Sequence, residues 1–234
     1  MKQFDQSLIR PVNMDALAEE CLRALGQNGL GGYISIGGAL GLLHYLDYRG
    51  TRDADAWWND PVAESEKQKV IEIIRQVLMS KGNVKIRSWG DVVSIELEKA
   101  GRIVFSFQIA KRSARLSESR KTDWADIWVD SLEDLVAAKM TALIERGAPR
   151  DFRDIFAICR AKLAVSADCW TLWGKRQTLA GSDADRKRAG LALQTHLKRI
   201  ALQRPVEKIQ DLRERAEAVE LRAWFNGVFI NASE

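Results

Sequence analysis

A chain of 234 residues, 46% hydrophobic and 29% charged, is long enough for one substantial core or one core with a helical appendage, and its composition excludes fibrous and disordered classes. No stretch approaches the ~18 consecutive apolar residues of a membrane span, and Met1-Lys-Gln-Phe-Asp-Gln6 lacks the apolar region of a signal peptide, so a cytoplasmic protein with no membrane partner is expected. The formal net charge of +4 is uneven: residues 151–234 hold 15 Lys/Arg against 11 Asp/Glu, whereas residues 1–150 hold 21 of each, so the C-terminal end suits a polyanion or is simply a set of solvated helices.

Met14 to Leu25 carries Leu17, Ala18, Cys21, Leu22 and Leu25 at helical spacing, with Asn13 as its expected cap. Tyr33 to Ile36 is a short apolar run that ends in Gly37-Gly38, and Ala39 to Leu46 then carries helix formers. The reading is strand, tight glycine turn, helix. Such a turn aims backbone N–H groups and a helix N-terminus at whatever lies above it, which favours a phosphate. Arg49-Gly50-Thr51 makes the next turn, and Asp53-Ala54-Asp55-Ala56-Trp57 alternates polar with apolar as a strand does. Asp53 and Asp55 then project from one face. Two such carboxylates repel each other unless a cation lies between them, and a hard divalent ion, Mg²⁺, is the economical occupant.

Ala63 to Lys81 reads as a long helix with Val70, Ile71, Ile74, Val77 and Leu78 on one face and Gly82 as its stop. Three strands follow, Val84 to Ser88, Val92 to Glu98 and Arg102 to Ile109. With residues 31–36 and 52–58 they make a mixed sheet of about five strands. Lys111 to Lys121, with five Lys/Arg, is either a flexible arm that meets phosphates or a solvated loop, the second being favoured.

Ser131 opens the next helix with Asp134 as a capping-box-like partner. Its apolar stripe is Leu132, Leu135, Val136, Met140 and Leu143, and Lys139 falls on the same inward face. A buried lysine is costly unless a carboxylate or phosphate pairs with it, so Lys139 is expected to face the acidic site and await a triphosphate, the alternative being that it snorkels along the apolar face with its amine in solvent. Arg146 falls near the same side. Gly147-Ala-Pro149 ends that helix. The next, Arg150 to Arg160, packs through Phe152, Ile155, Phe156 and Cys159, with Asp151 and Asp154 on the adjoining face. Asp151 lies near enough to the helix start to serve its dipole, whereas Asp154 does not.

Helices over about residues 166–178, 183–203 and 206–224 complete the chain, with Trp170, Trp173, Trp224 and Phe225 expected between them as packing groups. His44 and His196 are the only histidines and make no metal site. Cys21, Cys159 and Cys169 lack metal-ligand spacing and are expected to be reduced and mostly buried.

The Gly-Gly turn, the helix and then Arg-x-Thr-x-Asp-x-Asp resemble the nucleotidyltransferase superfamily with a polymerase-β-like core. The second block, Lys139-Met-Thr-Ala-Leu-Ile-Glu-Arg146 followed by Arg150-Asp151-Phe-Arg-Asp154, is similar to that of the AbiEii family, nucleotidyltransferase toxins of type IV toxin–antitoxin and abortive-infection systems. The resemblance covers roughly residues 30–160 and implies an α+β fold, a small mixed sheet flanked by helices over residues 1–130 and an all-helical region over 131–234.

It further implies a Mg²⁺-dependent enzyme that moves a nucleoside monophosphate from a nucleoside triphosphate such as ATP onto an RNA end, a tRNA 3′ end foremost, or onto a protein hydroxyl, with a cognate antitoxin as partner. Asp53 and Asp55 would hold the metal, and Gly37, Gly38, Thr51, Lys139, Arg146 and Asp151 would contact the nucleotide. Asp53, Asp55, Lys139 and Asp154 would carry the chemistry. That core places a third carboxylate on a later strand, where this chain has Ser106 and Gln108. Glu96 and Glu98 are the replacements on offer, and the site would otherwise hold a single metal ion or one completed by Asp151 or Asp154. A degenerate nucleotide- or RNA-binding member, and a scaffold docking a protein through its helical tail, are the alternative functions.

Overall fold

The computed structural model describes residues 7–231, and the hexapeptide read above for a signal sequence lies outside them. The chain divides into two compact units, one running to Leu135 and the other from Val136. No helix among the described residues is long and apolar enough to cross a membrane.

In the first unit, α1 (Ala16–Gln27) starts two residues after Met14, because Asp15 rather than Asn13 is the cap: its carboxylate accepts the Leu17 N–H at 2.8 Å. Asn13 instead turns to Asp47, its Nδ2 donating to Oδ1 at 3.0 Å. After a 3₁₀ turn at Gly31–Tyr33 come β1 (Ile34–Ile36), α2 (Gly38–Leu43), β2 (Asp53–Trp58), α3 (Glu64–Met79), β3 (Asn83–Trp89), β4 (Val92–Lys99), β5 (Arg102–Ala110), β6 (Arg120–Lys121) and β7 (Trp128–Val129). α2 is shorter than its helix formers suggest, ending at His44 as C-cap.

The sheet has seven strands, not about five, in the order β3-β4-β5-β2-β1-β7-β6. The two added strands are two residues each, too short for any periodicity to register in sequence. β2 runs parallel to β5 and antiparallel to β1, and β1 runs parallel to β7, so the sheet is mixed. Ala54, Ala56 and Trp58 of β2 are buried, as are Ile95, Leu97, Phe105, Phe107 and Ile109 of β4 and β5. α3 packs on β3 and β4 and against α1, burying Val70, Ile71, Ile74 and Leu78.

The helix α4 (Leu132–Glu145) begins in this unit, and the division falls within its first turns. Ser131 Oγ accepts the Asp134 N–H at 3.0 Å and donates to Asp134 Oδ2 at 2.7 Å, the capping geometry its sequence called for. The second unit continues with α5 (Pro149–Arg160), α6 (Ser166–Leu179), α7 (Arg186–Gln203) and α8 (Leu212–Trp224), the last running into a π turn at Phe225–Phe229. α4 stops at Gly147, whose φ of +55° is left-handed and whose Cβ, were there one, would lie 2.2 Å from the His196 ring. Trp170, Trp173, Phe225 and Phe229 are buried, and Trp224 lies half-buried with its ring 4.9 Å from Phe225.

Candidate active site

The glycine turn closes directly on the Asp-x-Asp strand. Gly37 N–H donates to the Asp55 carbonyl at 2.8 Å, and the site of a Cβ on Gly38, whose φ is +57°, lies 2.1 Å from Asp55 Oδ2. Only glycine allows both the left-handed backbone and that approach. On the other side, a Cβ on Gly37 would lie 2.4 Å from Trp57 Nε1 and 3.2 Å from Asp130 Oδ2. The turn is therefore wedged between the side chains of β2 and the residue that follows β7.

Asp53 is exposed and Asp55 half-buried, while Ala54 between them is buried, so the two carboxylates share the face away from the α1–α3 layer. Thr51 is held beside them: its Oγ1 donates to the Asp53 carbonyl at 3.3 Å. Across β5, Ser106 pairs in register with Asp53 and Gln108 with Asp55. Ser106 Oγ donates to Asp53 Oδ1 at 3.0 Å. Glu96 on β4 is in turn opposite Ser106, so Asp53, Ser106 and Glu96 form one cross-strand row. Glu98, two residues further along β4 and past a register shift after Leu97, lies outside that row, and it pairs with Lys85. Of the two expected replacements for a third acid, the register therefore aligns Glu96 alone with the pair. Glu96 is 8% exposed, with Ser94 Oγ 3.3 Å from Oε1 and Arg87 Nε 3.3 Å from Oε2.

Among the described residues no group of three or more His, Cys, Asp or Glu is arranged to hold a metal ion. A pair of hard carboxylate oxygens beside a glycine turn nonetheless fits Mg²⁺, which commonly keeps one or two carboxylates and completes its octahedron with phosphate oxygens and water.

In the second unit Lys139 is 7% exposed, and its Nζ lies 2.6 Å from Asp154 Oδ2. Asp151 is fully buried and receives Arg146 as a two-pronged pair, Nε to Oδ2 and Nη2 to Oδ1, each 2.8 Å. Two cations of α4 and its last turn are thereby matched to two carboxylates one helical turn apart on α5. The expectation that Asp151 or Asp154 completes a metal site meets this arrangement: each is engaged by a cation of its own unit.

The family model for the nucleotidyl transferase AbiEii toxin of type IV toxin–antitoxin systems matches residues 22–223. The chain belongs to the AbiEii family. It is a toxin-type nucleotidyltransferase. Among solved structures it is similar to a crystal structure from H. pylori described as a nucleotidyltransferase, with 13% identity, 93% of this chain and 95% of that chain covered, and a TM-score of 0.53. It also matches an antigenic nucleotidyltransferase-like protein from Paracoccidioides brasiliensis at 16% identity, 86% and 92% coverage and a TM-score of 0.42. The first likeness speaks for the fold; no curated protein matches the chain.

One part of this AbiEii site was not foreseen. Arg112 lies in the basic stretch that read as a solvated loop or flexible arm, yet its side chain is only 10% exposed. Its guanidinium donates to both oxygens of Asp130 and, at 2.6 Å, to Ser35 Oγ; it lies 3.8 Å from Asp134 and over the Trp57 ring at 5.7 Å. Asp134 also accepts the Leu116 and Ser117 N–H groups at 2.9 and 3.0 Å, which pins the stretch in place. Burial pushes the Asp130 carboxyl above its ordinary range, and Arg112 opposes that shift. The correction has a simple cause: five cations in eleven residues look solvated, and only the buried Asp130-x-x-x-Asp134 pair across the fold distinguishes Arg112 from its neighbours.

His44, expected as a packed residue rather than a catalyst, is fully buried with its Nδ1 2.9 Å from the Leu40 carbonyl and its ring stacked on Trp124. Burial lowers its pKa to about 4.

Proposed function

We propose that this AbiEii nucleotidyltransferase moves a nucleoside monophosphate from a nucleoside triphosphate onto an RNA end, a tRNA 3′ end foremost, and so arrests growth until a cognate antitoxin counters it. The observation that carries the proposal is the glycine turn locked against Asp55, which sets the start of α2 beside two carboxylates that share a face.

In this reading Gly37 and Gly38 seat the triphosphate and Thr51 fixes the strand entry. Asp53 and Asp55 would hold Mg²⁺, which supplies positive charge to the phosphate oxygens. The acceptor hydroxyl attacks the α-phosphorus, a new P–O bond forms as the bond to the β-phosphate oxygen breaks, and pyrophosphate leaves. The hydroxyl proton passes to a carboxylate, with Asp53 favoured because Ser106 orients its Oδ1. Lys139 and Arg146 would neutralise the leaving pyrophosphate by exchanging Asp154 and Asp151 for phosphate, with those aspartates holding the cations in readiness between turnovers.

A second reading rests on the cross-strand row in which Ser106 and Gln108, rather than acids, face Asp53 and Asp55. It is a degenerate member that binds nucleotide or RNA and transfers nothing. Incubating the protein with Mg²⁺, each α-labelled ribonucleoside triphosphate and total bacterial RNA separates the two. Metal-dependent label on RNA that vanishes in Asp55→Ala supports transfer, label on protein moves the acceptor to a protein hydroxyl, and triphosphate binding without label supports the degenerate reading.

A further inference from the structure

Two of the three cysteines are not independent buried hydrophobes. Cys159, near the end of α5, and Cys169, in the first turn of α6, bring their sulfurs to 3.7 Å as free thiols in mutual hydrogen-bond contact. Their accessibility differs: Cys159 is half-buried, and Cys169 is fully buried behind it. Ten residues separate them along the connection between α5 and α6, and the sulfur contact has only to shorten to the ~2 Å of an S–S bond. Cys21, fully buried in the other unit with its thiol pushed up to about 12 by burial, has no such arrangement and serves as an internal reference.

We propose that Cys159 and Cys169 are a reversible redox modification site, closed to a disulfide by a hydroperoxide. The peroxide oxygen adds to the Cys159 sulfur, and the O–O bond breaks to release an alcohol or water. The Cys169 sulfur then displaces the sulfenic oxygen, so that the S–S bond forms, the S–O bond breaks and the Cys169 proton leaves with that oxygen as water. Two thiols are oxidised and one peroxide is reduced. The order follows from exposure, since peroxide reaches Cys159 and not Cys169. The Cys169 thiol is held protonated by its bond to Cys159 and by burial, which suits the partner that waits and resolves. The closure staples the last turn of α5, the helix that carries Asp151 and Asp154, to α6.

The test uses the full chain, treated with hydrogen peroxide, quenched, denatured, alkylated with iodoacetamide and mapped by mass spectrometry. The expected result is alkylated Cys21, a Cys159–Cys169 cross-linked peptide pair about 2 Da lighter than the two free thiols, and full reversal by dithiothreitol. Cys21→Ser should leave the cross-link intact, and Cys169→Ser should abolish it and let Cys159 accumulate as sulfinate. Recovery of Cys159 and Cys169 as two alkylated thiols, or of sulfinate at Cys159 beside alkylated Cys169 in the wild-type chain, overturns the proposal.

Discussion

Lys139 and Asp154 form an ion pair of 2.6 Å with the lysine 7% exposed and the aspartate fully buried. A pair this far from water is a liability when halved, because removing one partner leaves a charge in the interior without this counter-ion, at a cost of about 3–5 kcal/mol. Lys139→Met and Asp154→Asn are each expected to lower the denaturation midpoint clearly. The double variant Lys139→Met/Asp154→Leu should recover most of that stability without recovering nucleotidyl transfer. Denaturant unfolding beside the label-transfer assay checks both halves, and a double variant that transfers label would remove these residues from the chemistry.

Gly38→Ala should be far more damaging to activity than its size suggests. The added Cβ meets Asp55 Oδ2 at 2.1 Å on a backbone that L-residues avoid, so either the turn or the carboxylate must shift by most of an ångström. Displacements of that order at a reacting centre cost about 100-fold in rate. Steady-state kinetics of Gly38→Ala against Gly29→Ala, where φ is also positive but the Cβ would meet nothing within 4 Å, isolates the contact from the backbone effect.

Arg112→Met would take the counter-ion from Asp130, which is 2% exposed, while Asp134 keeps its bonds from Ser131, Leu116 and Ser117. The substitution is expected to cost about 3–5 kcal/mol of stability. Arg112→Lys keeps the charge but loses the simultaneous grip on both Asp130 oxygens and Ser35, so it should fall between the two. Because Asp130 and Trp57 flank Gly37, the lysine variant should also raise KM for the triphosphate more than it lowers kcat.

His44 sets an acid limit on stability. Its folded pKa of about 4 lies below the ordinary value near 6.5, so the unfolded chain takes up the proton first as pH falls. The contribution is fully present above pH ~6.5 and is lost progressively down to about pH 4, for a total of about 3 kcal/mol. Unfolding free energies measured from pH 7 to pH 4 should show this slope in the wild type, and His44→Phe, which retains a ring against Trp124, should flatten it.

Local chemistry made much of this protein legible in advance. The Gly-Gly turn, the Asp-x-Asp alternation and the Ser131/Asp134 cap each depend on residues a few positions apart, and backbone sterics and strand periodicity dictate their geometry wherever the chain folds. Lys139 fell on an inward stripe for the same reason. What spacing within the chain determines is which face a residue takes, and that was readable for Asp53, Asp55, Asp151 and Asp154. The identity of a partner across the fold was not. That Ser106 and Glu96 stand in the Asp53 row, that Arg112 is drawn inward by Asp130, that Lys139 holds Asp154, and that Cys159 touches Cys169 all depend on strand register and helix packing. Those are settled by the burial of many side chains at once, and no window of sequence contains that sum.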